Sequence, residues 1–354
     1  MILCGINHKT APIEIREKFH LNLNERTLLL NEFKNDPRII EAIVLSTCNR
    51  TEICAHLIDE NVGILLDHLC RIKKISMGTD VQKYFYSYQG KEALEHFLRV
   101  STGADSLILG EKQVLGQIKE AVELSRAKAM LQKEFNVLSQ IVIRAGKKAQ
   151  SETAIGCGGS SVSWAAVTMA QHLLGTLQDK SVLIIGAGKM GHLAVSHLKE
   201  KGASKIYVMS RTHENSCAVA NEFGAEAVSF LELKNILAKV DVCICSASAP
   251  QYLLEKDLID QIMPARAKQK LVLIDISMPR NIHPDIAFIE NVSLLSVDDL
   301  DKAVEHNIAR RRLAVEEVEK IIAKKIDEFY AKIEKIRVAE ASKLNPSEKS
   351  YVAR

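Results

Sequence analysis

An apolar run that leads directly into a glycine-rich turn constrains the fold of this chain more than any other feature. Residues 182–185 read Val-Leu-Ile-Ile, and G-x-G-x-x-G spacing follows, before a helix-like stretch over 192–201 and a second apolar run over 205–209. In such a strand–helix–strand unit the first glycine permits a tight turn, the second lets a pyrophosphate approach the backbone, and the third allows the helix to pack closely on the strand. The segment predicts a dinucleotide-binding domain, whose contact residues we expect to be Gly186, Ala187, Gly188, Lys189, Met190 and Gly191.

The residues after the second apolar run indicate which dinucleotide binds. Ser210, Arg211 and Thr212 stand where an NAD-specific site places Asp or Glu. A guanidinium flanked by two hydroxyls suits a ribose 2′-phosphate, and no carboxylate is present to bind a free 2′-hydroxyl. We therefore predict NADPH as the cofactor. A solvated arginine at the end of a strand is the alternative.

Length and composition bound the remaining possibilities. A chain of 354 residues predicts two or three domains, and its 47% hydrophobic content can supply a sizeable core. A net charge of +3 does not indicate DNA binding, and no apolar stretch is long enough to span a bilayer. The eight cysteines lack the paired C-x-x-C spacing of a zinc site, so we expect no metal centre and free thiols in a reducing cytoplasm.

A second apolar run, residues 42–45, ends in Ser46-Thr47-Cys48-Asn49-Arg50. A thiol and a guanidinium thus emerge side by side at the end of a predicted buried strand. A cation such as Arg50 can favour the thiolate form of a cysteine, or bind the carboxylate of a substrate. The alternative is a small buried cysteine followed by a surface arginine.

The pattern along the chain predicts an α/β multidomain protein. Strands around Cys48 and helical stretches near 13–34 and 61–74 indicate an N-terminal α+β catalytic domain over 1–155, with a helical pattern from 91 to about 175. Strands and helices then alternate, including strands at 241–246 and 271–275, which indicates a Rossmann-type domain over 156–296. Residues 297–354 are assigned to a shortened helical dimerisation region.

Apolar residues in this last region recur at steps of three and four from Leu300 to Ile336, which is typical of one long amphipathic helix. A helix of about 40 residues extends roughly 60 Å. We expect it to be too long to bury its apolar stripe on its own domain, and so predict a homodimer. A helix folded back into a bundle is the alternative.

Polar residues between these motifs are candidates for substrate recognition. Ser106, Glu111, Gln113 and Gln117 could bind the ammonium and carboxylate groups of an amino acid, although such residues also serve as helix caps. His96 stands alone beside apolar residues, where a histidine is more often structural than catalytic.

Together these segments resemble the glutamyl-tRNA reductase family. The resemblance is carried by residues 5–12 (Gly-Ile-Asn-His-Lys-Thr-Ala-Pro), 46–52 (Ser-Thr-Cys-Asn-Arg-Thr-Glu), 109–113 (Leu-Gly-Glu-Lys-Gln) with Gly116-Gln117, and 186–188 (Gly-Ala-Gly). It implies that Cys48 attacks the ester of glutamyl-tRNA, releases the tRNA and holds a thioester that NADPH reduces to glutamate-1-semialdehyde, the committed step toward tetrapyrroles.

The resemblance also implies roles for individual residues and partners. The glutamyl group would be held by Thr47, Cys48, Asn49, Arg50, Ser106, Glu111, Lys112, Gln113 and Gln117, while His96 would assist at the reacting centre as a base or a hydrogen-bond donor. The implied partners are glutamyl-tRNA, a second copy of the chain and glutamate-1-semialdehyde aminomutase.

The chain departs from the family pattern in two places. Lys112 stands where the family usually has proline, and the sequence ends at Arg354, earlier than most members, with a predicted helix stop at 345–347. The early end of the sequence bears on dimerisation and on tRNA binding. Candidate contacts to tRNA phosphates are Arg310-Arg311-Arg312 and Lys147-Lys148. Two other functions stay open: an NADP-dependent dehydrogenase of a free small metabolite, similar to shikimate dehydrogenase, or a non-catalytic NADP-responsive interaction protein.

Overall fold

The computed structural model of the chain describes residues 1–76, 79–156, 161–300 and 308–343. Its first part is a four-stranded antiparallel sheet in the order β2-β3-β1-β4. The strands are β1 (Ile2–Asn7), β2 (Ile39–Ser46), β3 (Arg50–Leu57) and β4 (Tyr86–Gln89). The strands β1, β2 and β3 are almost wholly buried, which explains the apolar runs of β1 and β2, whereas β3 also buries the charged residues Arg50 and Glu52.

Helices cover one face of this sheet. They are α1 (Ile13–Phe19), α2 (Leu23–Asn35), α3 (Gly63–Lys73) and the short α4 (Thr79–Gln82). The helical stretch predicted over 13–34 is confirmed as two helices, because the chain is extended at His20 and a new helix begins after Asn22. The Asn22 side chain accepts a hydrogen bond from the Glu25 amide, and the Glu25 carboxylate accepts one from the Asn22 amide. This capping box stabilises a fresh helix start where the pattern alone suggested continuity.

A layer of longer helices packs on the opposite face of the sheet. It contains α5 (Gly90–Thr102), α6 (Lys112–Ala127) and α7 (Lys133–Glu152), and α8 (Val162–Leu174) then leads into the second domain. The predicted helical stretch from 91 to 175 is therefore confirmed as four helices. Glycines lie in the loop between α5 and α6, but the loop between α6 and α7 has none, and Gly116 and Gly146 lie inside helices.

The second domain is a six-stranded parallel sheet in the order β10-β9-β8-β5-β6-β7. Its strands are β5 (Ser181–Ile185), β6 (Lys205–Met209), β7 (Glu226–Ala227), β8 (Val242–Cys245), β9 (Leu271–Asp275) and β10 (Val292–Ser296). The helices between them are α9 (Lys189–Glu200), α10 (His213–Phe223), α11 (Leu233–Leu237) and α12 (Lys256–Ile262). The strand order reverses between β5 and β8, and ligands of such sheets bind at this switch point. The glycine-rich loop after β5 lies there, so the predicted Rossmann-type fold is confirmed.

The chain ends its described part in one long helix, α13 (Ile308–Lys343). Its apolar stripe lies in the same core as the inward faces of α5, α6 and α7, and the stripe residues buried there are Ala314, Val318, Ile321, Ile322, Ile326, Phe329 and Ile333. For the side chains that the structure describes, the expectation that this stripe is too long to be buried on its own domain is therefore wrong, and the alternative of a helix folded back into a bundle is confirmed. The helix folds back onto the N-terminal domain, whose helical layer is itself long enough to cover it.

The remaining sequence predictions concern membrane spans, the cysteines and the end of the chain. Among the described helices, none combines the length and the apolarity required to cross a membrane. The seven cysteines in the described ranges are all free thiols. The eighth, Cys157, and the helix stop predicted at 345–347 lie outside the described residues, as do the side chains of Arg310-Arg311-Arg312.

Candidate active site

Cys48 lies in the loop that joins β2 to β3, on the side of the N-terminal domain that meets the second domain. The loop is a tight turn in which the Thr47 amide donates to the Arg50 carbonyl at 2.8 Å. The Thr47 hydroxyl accepts hydrogen bonds from the amides of Asn49 and Arg50, at 3.1 and 3.2 Å. These bonds fix Cys48 at the tip of the loop, where its side chain is half-buried. The predicted strand, turn and strand around Cys48 are confirmed.

The surroundings of the thiol differ from the expectation based on sequence. Burial raises the pKa of the Cys48 thiol to about 12, and the Glu111 carboxylate adds to this rise. The cation that opposes the rise is Arg16, which donates to the Cys48 carbonyl at 2.9 Å, rather than Arg50. Cys48 is therefore a protonated thiol in this arrangement, and its attack on a substrate requires an acceptor for the proton.

Arg50 lies at the start of β3 and is the centre of a buried ionic network. One guanidinium nitrogen of Arg50 contacts the Glu52 carboxylate at 2.7 Å and the Asp105 carboxylate at 3.0 Å. Burial alone would lower the pKa of Arg50, but Glu52, Tyr86 and Asp105 together offset it and hold the pKa above its ordinary value. Burial alone would raise the pKa of Glu52, but Arg50 and His96 hold it far below the ordinary value. Arg50 and Glu52 are thus both ionised.

His96 joins this network from α5. Its Nε2 lies 2.9 Å from Oε1 of Glu52, and its ring stacks on Tyr88 with the centroids 4.8 Å apart. The Tyr86 hydroxyl donates to the same Glu52 oxygen. Glu52 therefore joins His96 to Arg50, so that both side chains have a fixed orientation.

The other predicted substrate residues lie in the loop and first turns of α6. Glu111 is the residue before α6, and both Glu111 and Gln113 are buried. Burial raises the pKa of Glu111 to about 7, although Arg50 acts in the opposite direction. The Glu111 carboxylate acts on the pKa of Cys48 and the Arg50 guanidinium acts on the pKa of Glu111, so Glu111 lies within electrostatic range of both. Ser106 and Gln117 are half-buried nearby in the chain, whereas Lys112 is exposed.

The predicted cofactor residues follow β5 and β6, two neighbouring strands of the parallel sheet, at their carboxyl ends. Gly186 has a φ of +115°, and a Cβ there would lie 2.8 Å from Ser246 backbone atoms. A Cβ at Gly188 would meet no atom within 4 Å, so the backbone of the turn is open to a phosphate at the start of α9. Ser210, Arg211 and Thr212 follow β6, whose last residue pairs with the last residue of β5, and Arg211 and Thr212 are exposed. The residues present therefore fit a dinucleotide with a 2′-phosphate.

The residues around Cys48 and those of the glycine-rich loop meet at the boundary between the two domains. Cys48 and Leu107 pack against the same apolar core as Ala187 and Met190 of the glycine-rich loop. A Cβ added to Gly116 in α6 would lie only 3.3 Å from the Lys189 ammonium of the glycine-rich loop. Arg16 also bonds to Asp298, and Arg280 contacts Glu14 and Glu17 at 3.1 and 2.9 Å. The thiol and the cofactor loop thus lie at a shared boundary that these ion pairs bridge.

Sequence reasoning missed three members of the site: Arg16, Glu52 and Asp105. Glu52 could have been found, because residues two apart on a strand share a face and Arg50 is a charged residue on a buried strand. Arg16 and Asp105 carry no comparable signal, since they reach the site from a separate helix and a separate loop.

Comparison with known proteins identifies the family of this chain. The family described as "Glutamyl-tRNAGlu reductase, N-terminal domain" matches residues 4–153, and "Shikimate / quinate 5-dehydrogenase" matches residues 168–303. A glutamyl-tRNA reductase of Solibacter usitatus is 36% identical over 346 residues, covering 97% of this chain and 81% of the relative. The chain belongs to the glutamyl-tRNA reductase family. A family member from Thermodesulfovibrio yellowstonii is 35% identical over 342 residues, covering 93% of this chain and 79% of that protein.

The fold agrees with this membership. The solved structure of glutamyl-tRNA reductase from Methanopyrus kandleri matches with a TM-score of 0.53 and 30% identity, over 96% of this chain and 82% of that one. In this member of the glutamyl-tRNA reductase family, the motifs that carry the resemblance include Cys48, Arg50 and Glu111.

Proposed function

We propose that this chain reduces the glutamyl group of glutamyl-tRNA to glutamate-1-semialdehyde with NADPH, through a thioester on Cys48, as the first step of the C5 route to tetrapyrroles. The observation that carries the proposal is the position of Cys48. Its half-buried thiol packs against the same apolar core as the glycine-rich loop, so an acyl group on its sulfur would lie at the boundary with the cofactor domain. A dehydrogenase of a free metabolite would leave Cys48 and its ionic surroundings without a role.

The first step is a transfer of the acyl group. The Cys48 sulfur attacks the ester carbonyl carbon, the bond from that carbon to the ribose oxygen breaks, and the tRNA leaves with a proton on that oxygen. Because burial keeps the thiol protonated, a neighbouring group must accept its proton. Glu111 is suited to this, since its pKa of about 7 permits it to take up and release a proton near neutrality.

The glutamate side chain would be recognised by the cations of the ionic network. Lys9 and Arg50 both contact the Asp105 carboxylate, so two positive charges converge on one carboxylate. A substrate carboxylate that displaces Asp105 would meet the same two cations. NADPH, when bound, supplies the hydride to the acyl carbon; the bond from that carbon to the Cys48 sulfur then breaks, the aldehyde leaves, and the sulfur takes up a proton. The residues that would hold NADPH are those of the glycine-rich loop together with Ser210, Arg211 and Thr212.

Replacement of Arg211 with alanine is expected to raise KM for NADPH about 10- to 100-fold, which corresponds to the loss of a charge-assisted hydrogen bond. KM for NADH should change little, because NADH lacks the 2′-phosphate. Lys234→Ala, which removes another exposed cation of the same domain, is the control and should affect neither cofactor. Equal KM changes for both cofactors in Arg211→Ala would contradict the assigned role.

The pH dependence of stability tests the state of Glu111. Its pKa rises from 4.5 to about 7 on folding, so the folded chain binds the proton more tightly than the unfolded chain. The free energy of unfolding therefore falls as pH rises from about 4.5 to 7, and relative to Glu111→Gln the fall should reach roughly 3 kcal/mol. Urea unfolding at a series of pH values measures it. Parallel curves for the two proteins would show that Glu111 titrates normally.

The proposed activity is tested by NADPH oxidation with glutamyl-tRNA, free glutamate and uncharged tRNA in parallel. We expect turnover with glutamyl-tRNA alone, together with release of deacylated tRNA. Oxidation with a free metabolite, or NADPH binding without turnover on any substrate, would favour one of the two alternative functions.

Three contacts with other molecules remain predictions that the family resemblance supports. These are a homodimer, contact with glutamate-1-semialdehyde aminomutase, and tRNA phosphate contacts at Lys147-Lys148. The argument for the dimer from an exposed stripe no longer applies, because α13 buries its stripe within its own chain. Light scattering at micromolar concentration measures the oligomeric state directly.

A further inference from the structure

A cluster of two carboxylates and an imidazole lies apart from the active site, at the end of the N-terminal sheet. Glu41 of β2 and His56 of β3 are directly opposite each other in the strand pairing, so their side chains share one face. Glu134, in the first turn of α7, approaches the same point. Three separate elements therefore contribute one side chain each.

The spacing of the three groups is that of ligands around an ion. The His56 Nδ1 lies 3.8 Å from Oε2 of Glu41 and 3.5 Å from Oε2 of Glu134, and the three atoms all lie within 4.8 Å of one another. These separations exceed hydrogen-bond lengths. Ligands about 2.0–2.2 Å from a tetrahedral ion are roughly 3.3–3.5 Å apart, so small side-chain movements would complete a site.

The atoms that face the centre of the cluster make no hydrogen bonds within the described part of the chain. Oε1 of Glu41 accepts hydrogen bonds from the amides of Gln132 and Phe135 at the start of α7, whereas its Oε2 faces His56. Glu41 is only 1% exposed. The His56 Nδ1 is buried without a hydrogen-bond partner in the described part of the chain. Oε1 of Glu134 is 3.4 Å from Arg337, which leaves Oε2 to face the imidazole.

A second histidine between two carboxylates provides a contrast within the same domain. His68 bonds Glu32 through Nδ1 at 2.8 Å and Asp36 through Nε2 at 3.0 Å. Its two carboxylates lie on opposite ring nitrogens at hydrogen-bond distance, so they cannot share one ion with the ring. At His56 both carboxylates approach the same nitrogen and neither bonds it.

We propose that Glu41, His56 and Glu134 bind a divalent transition-metal ion, with Zn²⁺ the best fit. One imidazole and two carboxylates suit Zn²⁺, whereas Mg²⁺ prefers six oxygen ligands. The side chains of His56 and Glu134 are 31% and 27% exposed, so water can reach the fourth position. The ion would join two strands of the sheet to the start of α7, which is a structural role. The expectation of no metal centre rested on cysteine spacing and did not consider this donor set.

The test uses the full chain after treatment with a chelator and dialysis. Titration with Zn²⁺ by calorimetry is expected to give one site per chain, at least ~10-fold weaker in both His56→Gln and Glu134→Gln. His68→Gln is the matched control and should bind as the wild type does. Co²⁺ provides the spectroscopic readout, because an oxygen- and nitrogen-ligated tetrahedral ion gives d–d bands without the thiolate charge-transfer band that binding at a cysteine would produce. Glu41 is left unchanged in these variants because it also caps α7.

A rise in Tm on addition of Zn²⁺ that His56→Gln abolishes and His68→Gln retains would support the site. Three outcomes would overturn it: no saturable Zn²⁺ binding by the wild type, equal binding by His56→Gln, or a thiolate spectrum with Co²⁺. Circular dichroism of each variant verifies that it is folded before titration.

Discussion

Replacement of Cys48 with serine should lower kcat/KM for NADPH oxidation with glutamyl-tRNA by at least ~1,000-fold. A serine hydroxyl is a far weaker nucleophile than a thiol, and an oxyester is a poorer hydride acceptor than a thioester, so both halves of the proposed reaction suffer. The measurement is the rate of NADPH oxidation, together with trapping of a glutamylated enzyme from labelled glutamyl-tRNA. The variant should bind NADPH as the wild type does, because Cys48 is not among the predicted cofactor contacts.

Cys217→Ser is the matched control for this experiment. Cys217 is another half-buried free thiol, on α10 of the cofactor domain, and it has no place in the proposed chemistry. Its loss should leave both turnover and labelling intact. If Cys48→Ser were still labelled by the glutamyl group at the wild-type rate, another residue would be the acyl acceptor.

Replacement of Glu52 with glutamine should cost both stability and activity. Glu52 is 2% exposed and neutralises the buried guanidinium of Arg50. Removal of one partner from a buried ion pair typically costs 3–5 kcal/mol, and we expect about 3 kcal/mol because Asp105 still contacts Arg50. Since the change releases Arg50 and His96 together, we also expect kcat/KM to fall at least ~100-fold.

Urea unfolding and steady-state kinetics measure these two effects separately. Glu123→Gln is the control, since Glu123 pairs with Arg126 one turn away on the exposed face of α6. An exposed pair of this kind contributes at most about 0.5 kcal/mol. A Glu52→Gln protein with normal stability and normal kcat/KM would show that the network does not position the site.

Much of the fold could be predicted from local patterns. The glycine-rich turn, the strands over 182–185, 205–209 and 271–275, and the loop at Cys48 are each defined by a few neighbouring residues, and the structure confirms all of them. The helix break at Asn22 was missed because a capping box competes with an otherwise continuous helical pattern. The sequence does not reveal that the pattern is interrupted unless the cap itself is recognised.

The burial of α13 and the partners of Cys48 could not be predicted in this way. An amphipathic stripe reports only that something covers it, and here the cover is a helical layer that lies some 200 residues earlier in the chain. Arg16 reaches Cys48 from a separate helix, and its effect on the thiol depends on tertiary packing. Contacts between residues distant in the chain leave no periodic signal in either segment.

The packing of α13 has a consequence for the order in which the protein is made. Ala314, Val318 and Phe329 belong to the same core as Leu94 and Ile141. A ribosome therefore completes α5–α7 well before it synthesises the residues that cover them. Until α13 emerges, the nascent N-terminal domain presents an apolar surface to the cell, while the intervening Rossmann-type domain already has its own core and can fold. The first domain to be translated is thus the last to be finished, and chaperones that bind exposed apolar surface have their target during that interval.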